Sequence, residues 1–212
     1  FGDMSVLVLD LNGQYVYYFE HLRDVLHGSG SPFISWSRNL TGETVGMFAY
    51  YLASPSNWFV ALFPQKYTIE IMNAFIILKI AGSSLSLTYY LTKHNNNKHV
   101  IAAIFGMFYG MSGFIAAYSW NIMWLDCVIL IPLIMLGLER LVNENRCIFY
   151  CITLGLCIFT NYYIAIMVCL SVVIYYVVLM IAYNGIKSPM QYVKKFINFC
   201  VYSLLAGGLG AC

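Results

Sequence analysis

Hydrophobic and polar positions divide the chain into two regimes. Residues 1–66 mix the two kinds in short stretches, and none of these reaches the ~20 consecutive apolar residues a membrane span needs. From Ile69 onward apolar runs cover about 69–92, 100–118, 123–142, 147–160, 164–183 and 196–212. No charge separates the fourth run from the fifth. Together they extend 37 residues, from Cys147 to Tyr183, roughly 55 Å as one helix against a hydrocarbon core of about 30 Å. The stretch must therefore turn, and Thr160-Asn161-Tyr162-Tyr163 is its only polar break. The pattern predicts an all-α fold: a polytopic transmembrane helix bundle over residues 67–212 with about six spans, preceded by a 1–66 segment of juxtamembrane helices.

Within that segment, Asn12 is placed to cap a helix reaching Leu26, with Val16, Phe19, Leu22 and Leu26 near one face and Gly28 as its stop. A Gly/Ser/Pro loop follows at 28–32. An aromatic helix is expected over about 43–53. Ser54 then reads as an N-cap with Pro55 at the first position of a short helix to Phe63. Trp36, Tyr50, Tyr51, Trp58, Phe59 and Phe63 suit helices lying in the headgroup layer.

Composition agrees with lipid as the main solvent. Hydrophobic residues make up 61% of the chain and charged residues 9%, against about 25% charged in a soluble domain. The formal charge of +2 and the absence of a Lys/Arg tract exclude a nucleic-acid stripe. The seven cysteines all lie in or beside apolar runs, which reads as small hydrophobes on helix faces rather than a disulfide or zinc framework. Lys93, Lys98, Arg140, Arg146, Lys187, Lys194 and Lys195 fall in the loops 92–99, 139–146 and 184–195, while the alternate connections 119–123 and 160–163 carry no Lys or Arg. Seven against none puts the first set on the cytoplasmic side and residues 1–66 outside. The chain opens on Phe1 without a leader pattern and stops inside an apolar Gly-rich run, so it reads as a piece of a longer protein.

Several residues are candidates for chemistry. Lys79 lies among Ile76-Ile77-Leu78 and Ile80-Ala81 in the first span, where a lysine costs about 2.5–3.5 kcal/mol and needs a partner or a wet cavity. It is a cation for a lipid phosphate or for a structural acid such as Asp126. Asp126 follows Trp120-Asn121-Ile122-Met123-Trp124-Leu125 at the start of a span, as a helix cap or as part of an outward cavity. Asp3 and Asp10 are the early carboxylates. Asp10 opens Asp10-Leu11-Asn12-Gly13-Gln14-Tyr15, a capping cluster on composition. As chemistry, it is a carboxylate at the membrane surface able to take a proton from a sugar hydroxyl or hold a divalent cation. No phosphate loop, nucleophile elbow or His-Glu-x-x-His motif is present. His94 and His99 flank Asn95-Asn96-Asn97 and read as solvated loop, and Asn39-Leu40-Thr41 has the glycan-acceptor pattern.

The order of these motifs resembles the YfhO family of bacterial membrane proteins, grouped with the GT-C glycosyltransferases. The likeness runs from Asp10-Leu-Asn-Gly-Gln14-Tyr15 through Tyr50-Tyr51-Leu-Ala-Ser54-Pro55, Leu78-Lys79-Ile80-Ala81-Gly82 and Ser112-Gly113-Phe114. It continues through Trp124-Leu-Asp126, Ile131-Pro132-Leu133 and Gly137-Leu-Glu139-Arg140-Leu141 to Asn161-Tyr162-Tyr163-Ile164. The resemblance implies a bacterial cell-membrane enzyme taking a sugar from a polyprenyl-phosphate carrier and placing it on an extracytoplasmic cell-wall polymer such as lipoteichoic or wall teichoic acid. It implies an essential Asp in the first outer loop, in some members with a divalent cation such as Mg or Mn, and Asp10 is the matching position. Lys79 would then face the donor phosphate, with Asp126, Asn121, Gln14 and Tyr163 lining the cavity. A lipid-linked-sugar flippase or a structural subunit of a wall-synthesis complex are the alternatives.

Overall fold

The computed structural model describes residues 8–35, 42–94, 99–182 and 189–211. Asp3, Trp36, the 39–41 triplet, residues 95–98, Lys187 and Cys212 lie outside them. The first helix opens two residues earlier than a cap at Asn12 would allow. A π-helical turn over Leu11–Tyr15 runs without a break into α1 (Val16–Leu26). Neither Asn12 nor Asp10 caps it: Asn12 is exposed within the π turn, and Asp10 stands at the N-cap position without a side-chain bond. The wider turn has a packing reason, because it puts Leu11 and Tyr15 on the same buried face as Phe19 and Leu22. Gly28 ends the helix with φ +78°, and the backbone N–H groups of Ser29 and Gly30 both close onto the Asp24 carbonyl. A left-handed residue just past the last turn is the usual way to satisfy those carbonyls.

A two-residue antiparallel pairing joins β1 (Ile34–Ser35) to β2 (Gly42–Glu43). The aromatic stretch expected as one helix is a single α turn, α2 (Val45–Met47), continuing as a π turn over Phe48–Leu52. Pro55 starts the next helix as anticipated, but the helix is 3-10, Pro55–Leu62, and the Ser54 hydroxyl bonds Ser56 Oγ at 2.8 Å instead of capping. A second 3-10 turn, Gln65–Tyr67, leads into the bundle.

The bundle comprises α3 (Thr68–His94), α4 (His99–Gly110), α5 (Gly113–Tyr118), α6 (Ile122–Glu144), α7 (Ile148–Thr160), α8 (Tyr162–Ala182) and α9 (Pro189–Gly210). Among the described residues each apolar run of the sequence falls mainly on helix, the second divided between α4 and α5. Four stretches, Gln65–His94, His99–Tyr118, Ile122–Glu144 and Tyr162–Ala182, are long and apolar enough to cross a membrane, and α7 is a shorter apolar helix. Ile77, Leu78, Ile174 and Ile181 are each more than 60% exposed, as side chains facing lipid should be. The extended helix α9 begins ahead of the expected run and carries Lys194 and Lys195 in its first turns.

α6 is the central element, packed on α3, α7 and α8. It continues through Pro132, whose missing N–H leaves the Val128 carbonyl without its helical donor. Tyr109 of α4 supplies one, its hydroxyl donating to Val128 O at 2.8 Å. α3 and α4 meet along small residues: a methyl at Gly106 would lie 2.5 Å from the Ser84 carbonyl and one at Gly110 3.0 Å from that of Ile80. Such close approach is how helices associate where apolar burial no longer drives them together.

Candidate functional site

Side chains on α3 lean toward its N-terminal end, and Lys79 follows that direction to the start of α6. Its ammonium donates to Asp126 Oδ2 at 2.7 Å and to the Ile122 carbonyl at 3.2 Å, with Asn57 Oδ1 at 3.5 Å. Lys79 is 4% exposed and Asp126 9%, so this ion pair is shut away from solvent. Asp126 does not cap α6, because the helix starts four residues earlier behind Asn121. The second carboxylate oxygen is reached by Ser56 Oγ at 3.5 Å, and Ser56 is itself bonded to Ser54. The 3-10 helix beginning at Pro55 therefore roofs the pair with Ser56 and Asn57. Burying an ion pair is tolerable only when both ions find further polar neighbours, and these groups are those neighbours.

Two more joints hold the N-terminal region on the bundle. The Tyr15 hydroxyl donates to Asn121 Oδ1 at 3.2 Å, while the buried Nδ2 of Asn121 meets no acceptor among the described residues. Burial first, and then the nearby Tyr51 and Asp10, push the Tyr15 phenol far above its ordinary pKa, so Tyr15 stays a donor. Asn161, fully buried, donates from Nδ2 to the Tyr50 carbonyl at 3.0 Å, and its Oδ1 receives the Ile164 N–H at 2.9 Å, capping α8. Rings bridge the same seam. Tyr51 lies between Tyr15 and Tyr50, with ring centroids 5.2 and 4.6 Å away. Tyr50 neighbours Tyr162 and Tyr163, and Tyr163 stacks on Trp124 at 6.1 Å.

The structure thus brings Lys79 and Asp126 into direct contact, with Asn121 beside them at the head of α6 and Tyr163 in the adjoining aromatic seam. Asp10 and Gln14 lie on the exposed side of the first helix, where Gln14 accepts from the Tyr18 hydroxyl at 3.4 Å. Asp10 is close enough for its charge to oppose ionisation of Tyr15. Among the described residues no three His, Cys, Asp or Glu side chains cluster to hold a metal. Asp10 is a single carboxylate outside any such cluster, and a divalent cation takes six or more oxygens.

Sequence reasoning did not single out Tyr15, Ser56 or Asn57, or a second polar centre at the opposite end of the bundle. There Glu139 Oε1 accepts from Tyr175 at 2.5 Å and from Tyr90 at 2.8 Å, and Oε2 faces His94 Nδ1 at 3.2 Å. His94 is therefore not a loop residue but the last residue of α3, joined to α6. The signal available was an acid five residues before the end of an apolar helix, with a tyrosine in each of two other apolar runs.

A helical bundle with four membrane-length apolar helices and an ion pair sealed within it defines a polytopic membrane protein. The family model of the bacterial membrane protein YfhO matches residues 1–212, and the chain belongs to that family, which is associated with glycosyltransferase-like membrane proteins. No curated protein and no solved structure matches the chain.

Proposed function

We propose that the chain is part of a membrane glycosyltransferase that moves a sugar from a polyprenyl-phosphate donor to an extracytoplasmic cell-wall acceptor such as a teichoic acid. The observation that carries this reading is the position of Asp10. It is an exposed carboxylate at the head of the first helix, and Tyr15 one turn on anchors that helix to Asn121, beside the buried Lys79–Asp126 pair. Asp10 is thus free to receive a proton, while the surface it stands on is fixed to the bundle. In the proposed step the acceptor hydroxyl gives its proton to Asp10 as its oxygen bonds the anomeric carbon. The bond from that carbon to the phosphate oxygen breaks, and polyprenyl phosphate leaves with the electron pair.

Tyr162 and Tyr163, about half exposed, offer ring faces with hydroxyl edges, which suit the apolar face and polar rim of a sugar. The Lys79 charge is committed to Asp126, so a donor phosphate reaches it only where Asp126 yields, and the pair's role here is to position the roof. Sidedness follows from the basic loops, which put residues 1–66 outside.

The test uses the full-length protein in proteoliposomes loaded with a labelled polyprenyl-phosphate sugar and a teichoic-acid acceptor. Wild type should release polyprenyl phosphate and label the acceptor, and Asp10→Asn should do neither while inserting normally. Full transfer by Asp10→Asn removes Asp10 from the mechanism. Label crossing the bilayer with its phosphate bond intact would make the protein a flippase.

A further inference from the structure

Three residues, Asn145, Arg146 and Cys147, join α6 to α7. Asn145 adopts the left-handed conformation at φ +55°, and the N–H groups of Asn145 and Arg146 both close onto the Arg140 carbonyl. A left-handed residue past the last helical turn reverses the chain in this way, and here it folds Arg146 back toward Arg140. The two arginines line a cavity of about 450 Å³ together with Ile148, Phe149 and Ile152, and no Asp or Glu lines it.

Both cations are open to a ligand. Arg140 lies over the Phe149 ring at 5.2 Å, and among the described residues its guanidinium meets no carboxylate or other acceptor. Arg146 is 77% exposed. Glu144 reaches its Nε at 3.3 Å and is itself half exposed, a solvated pair of little strength.

The rest of the cavity wall is apolar and faces lipid. Ile148 and Ile152 stand one turn apart on α7, 73% and 50% exposed, and Leu156 extends the same stripe a further turn. α7 has 13 residues, about 20 Å of helix against a hydrocarbon core of about 30 Å. Thinning of the bilayer toward a short span brings headgroups to this end of the helix. Two guanidinium forks above an apolar stripe match a phosphate that carries hydrocarbon tails. A soluble phosphate would leave the stripe unused.

We infer that the cavity at the α6–α7 turn holds the headgroup of an anionic phospholipid, its phosphate gripped by Arg140 and Arg146 and its tails lying along Ile148 and Ile152. The basic loops put this turn at the inner leaflet; the binding itself depends neither on that sidedness nor on sugar transfer.

Native mass spectrometry of the full-length protein in mild detergent tests the site, with phosphatidylglycerol, diacylglycerol and glycerol 3-phosphate added in turn. Phosphatidylglycerol should bind and the other two should not. Arg140→Gln and Arg146→Gln should each weaken it roughly fivefold. Arg146 is a surface residue, so its variant serves even if Arg140→Gln fails to fold. Glu144→Gln, which releases Arg146, should tighten binding. Lys194→Gln removes a cation at the same end of the bundle but outside the cavity, and should leave binding unchanged. Binding unaffected by Arg146→Gln, weakened as much by Lys194→Gln, or equal for diacylglycerol overturns the inference. Equal affinity for glycerol 3-phosphate overturns it too, by making the cavity a soluble-phosphate site.

Discussion

The two ends of the bundle each bury a carboxylate on α6, and they satisfy it differently. Asp126 is neutralised by a formal cation, Lys79, under a roof of short polar side chains. Glu139 is surrounded by two tyrosine hydroxyls and His94. The first arrangement concentrates its energy in one contact and collapses if either ion is lost. The second spreads the load over three helices, α3, α6 and α8, and adjoins a cavity of about 450 Å³ lined by Lys93, His94 and Arg140. An ion pair locks two helices, whereas a hydrogen-bonded carboxylate gathers three and tolerates the loss of one donor.

That contrast is open to direct attack. The largest effect belongs to Lys79→Met, which strands Asp126 without a counter-ion and should cost about 3–5 kcal/mol, whereas Lys79→Met with Asp126→Leu should recover most of it. Reversible unfolding in mixed micelles measures both. Equal losses in the single and double variants would show that the pair is not coupled. Glu139→Gln should cost less, about 1–3 kcal/mol, because the amide oxygen can still accept from both tyrosines, which share one carboxylate oxygen, and only the oxygen facing His94 is replaced. A loss as large as that of Lys79→Met would erase the distinction between the two ends. Tyr109→Phe, midway between them, removes the donor that Pro132 withholds from Val128 and should cost about 1 kcal/mol by the same assay.

The smallest effect is alkaline. The folded-state pKa of Tyr15 is raised by burial. Its stabilisation is therefore intact below the unfolded value of about 10 and fades as pH rises above it. Tyr15→Phe should flatten that part of the stability–pH curve. A curve unchanged by the substitution would mean that Tyr15 is not the group responsible.

The bundle was legible because apolar runs and breaks follow from what lipid accepts as a neighbour: among the described residues the six runs are mainly helical, four stretches are long and apolar enough to span, and Asn161 does mark the turn between α7 and α8. Partners were less legible. Lys79 and Asp126 are 47 residues apart, and periodicity names the face each occupies but not the helix it meets. Asp126 was a named candidate for Lys79 because an acid and a base stranded in apolar runs have few alternatives. Asn12 misled as a cap because a π turn and an α turn share their sequence signals, and only the burial of Leu11 and Tyr15 together selects the wider one. Glu139 was passed over because nothing in Gly137-Leu-Glu139-Arg140 shows that Tyr90, His94 and Tyr175 converge on it.

The bond between Tyr50 and Asn161 crosses 111 positions of chain. Tyr50 leaves the ribosome long before its partner does, so the aromatic seam cannot close during the first part of synthesis. The N-terminal region is thus the first part of this segment to be made, yet it cannot complete its seam until α8 has followed it.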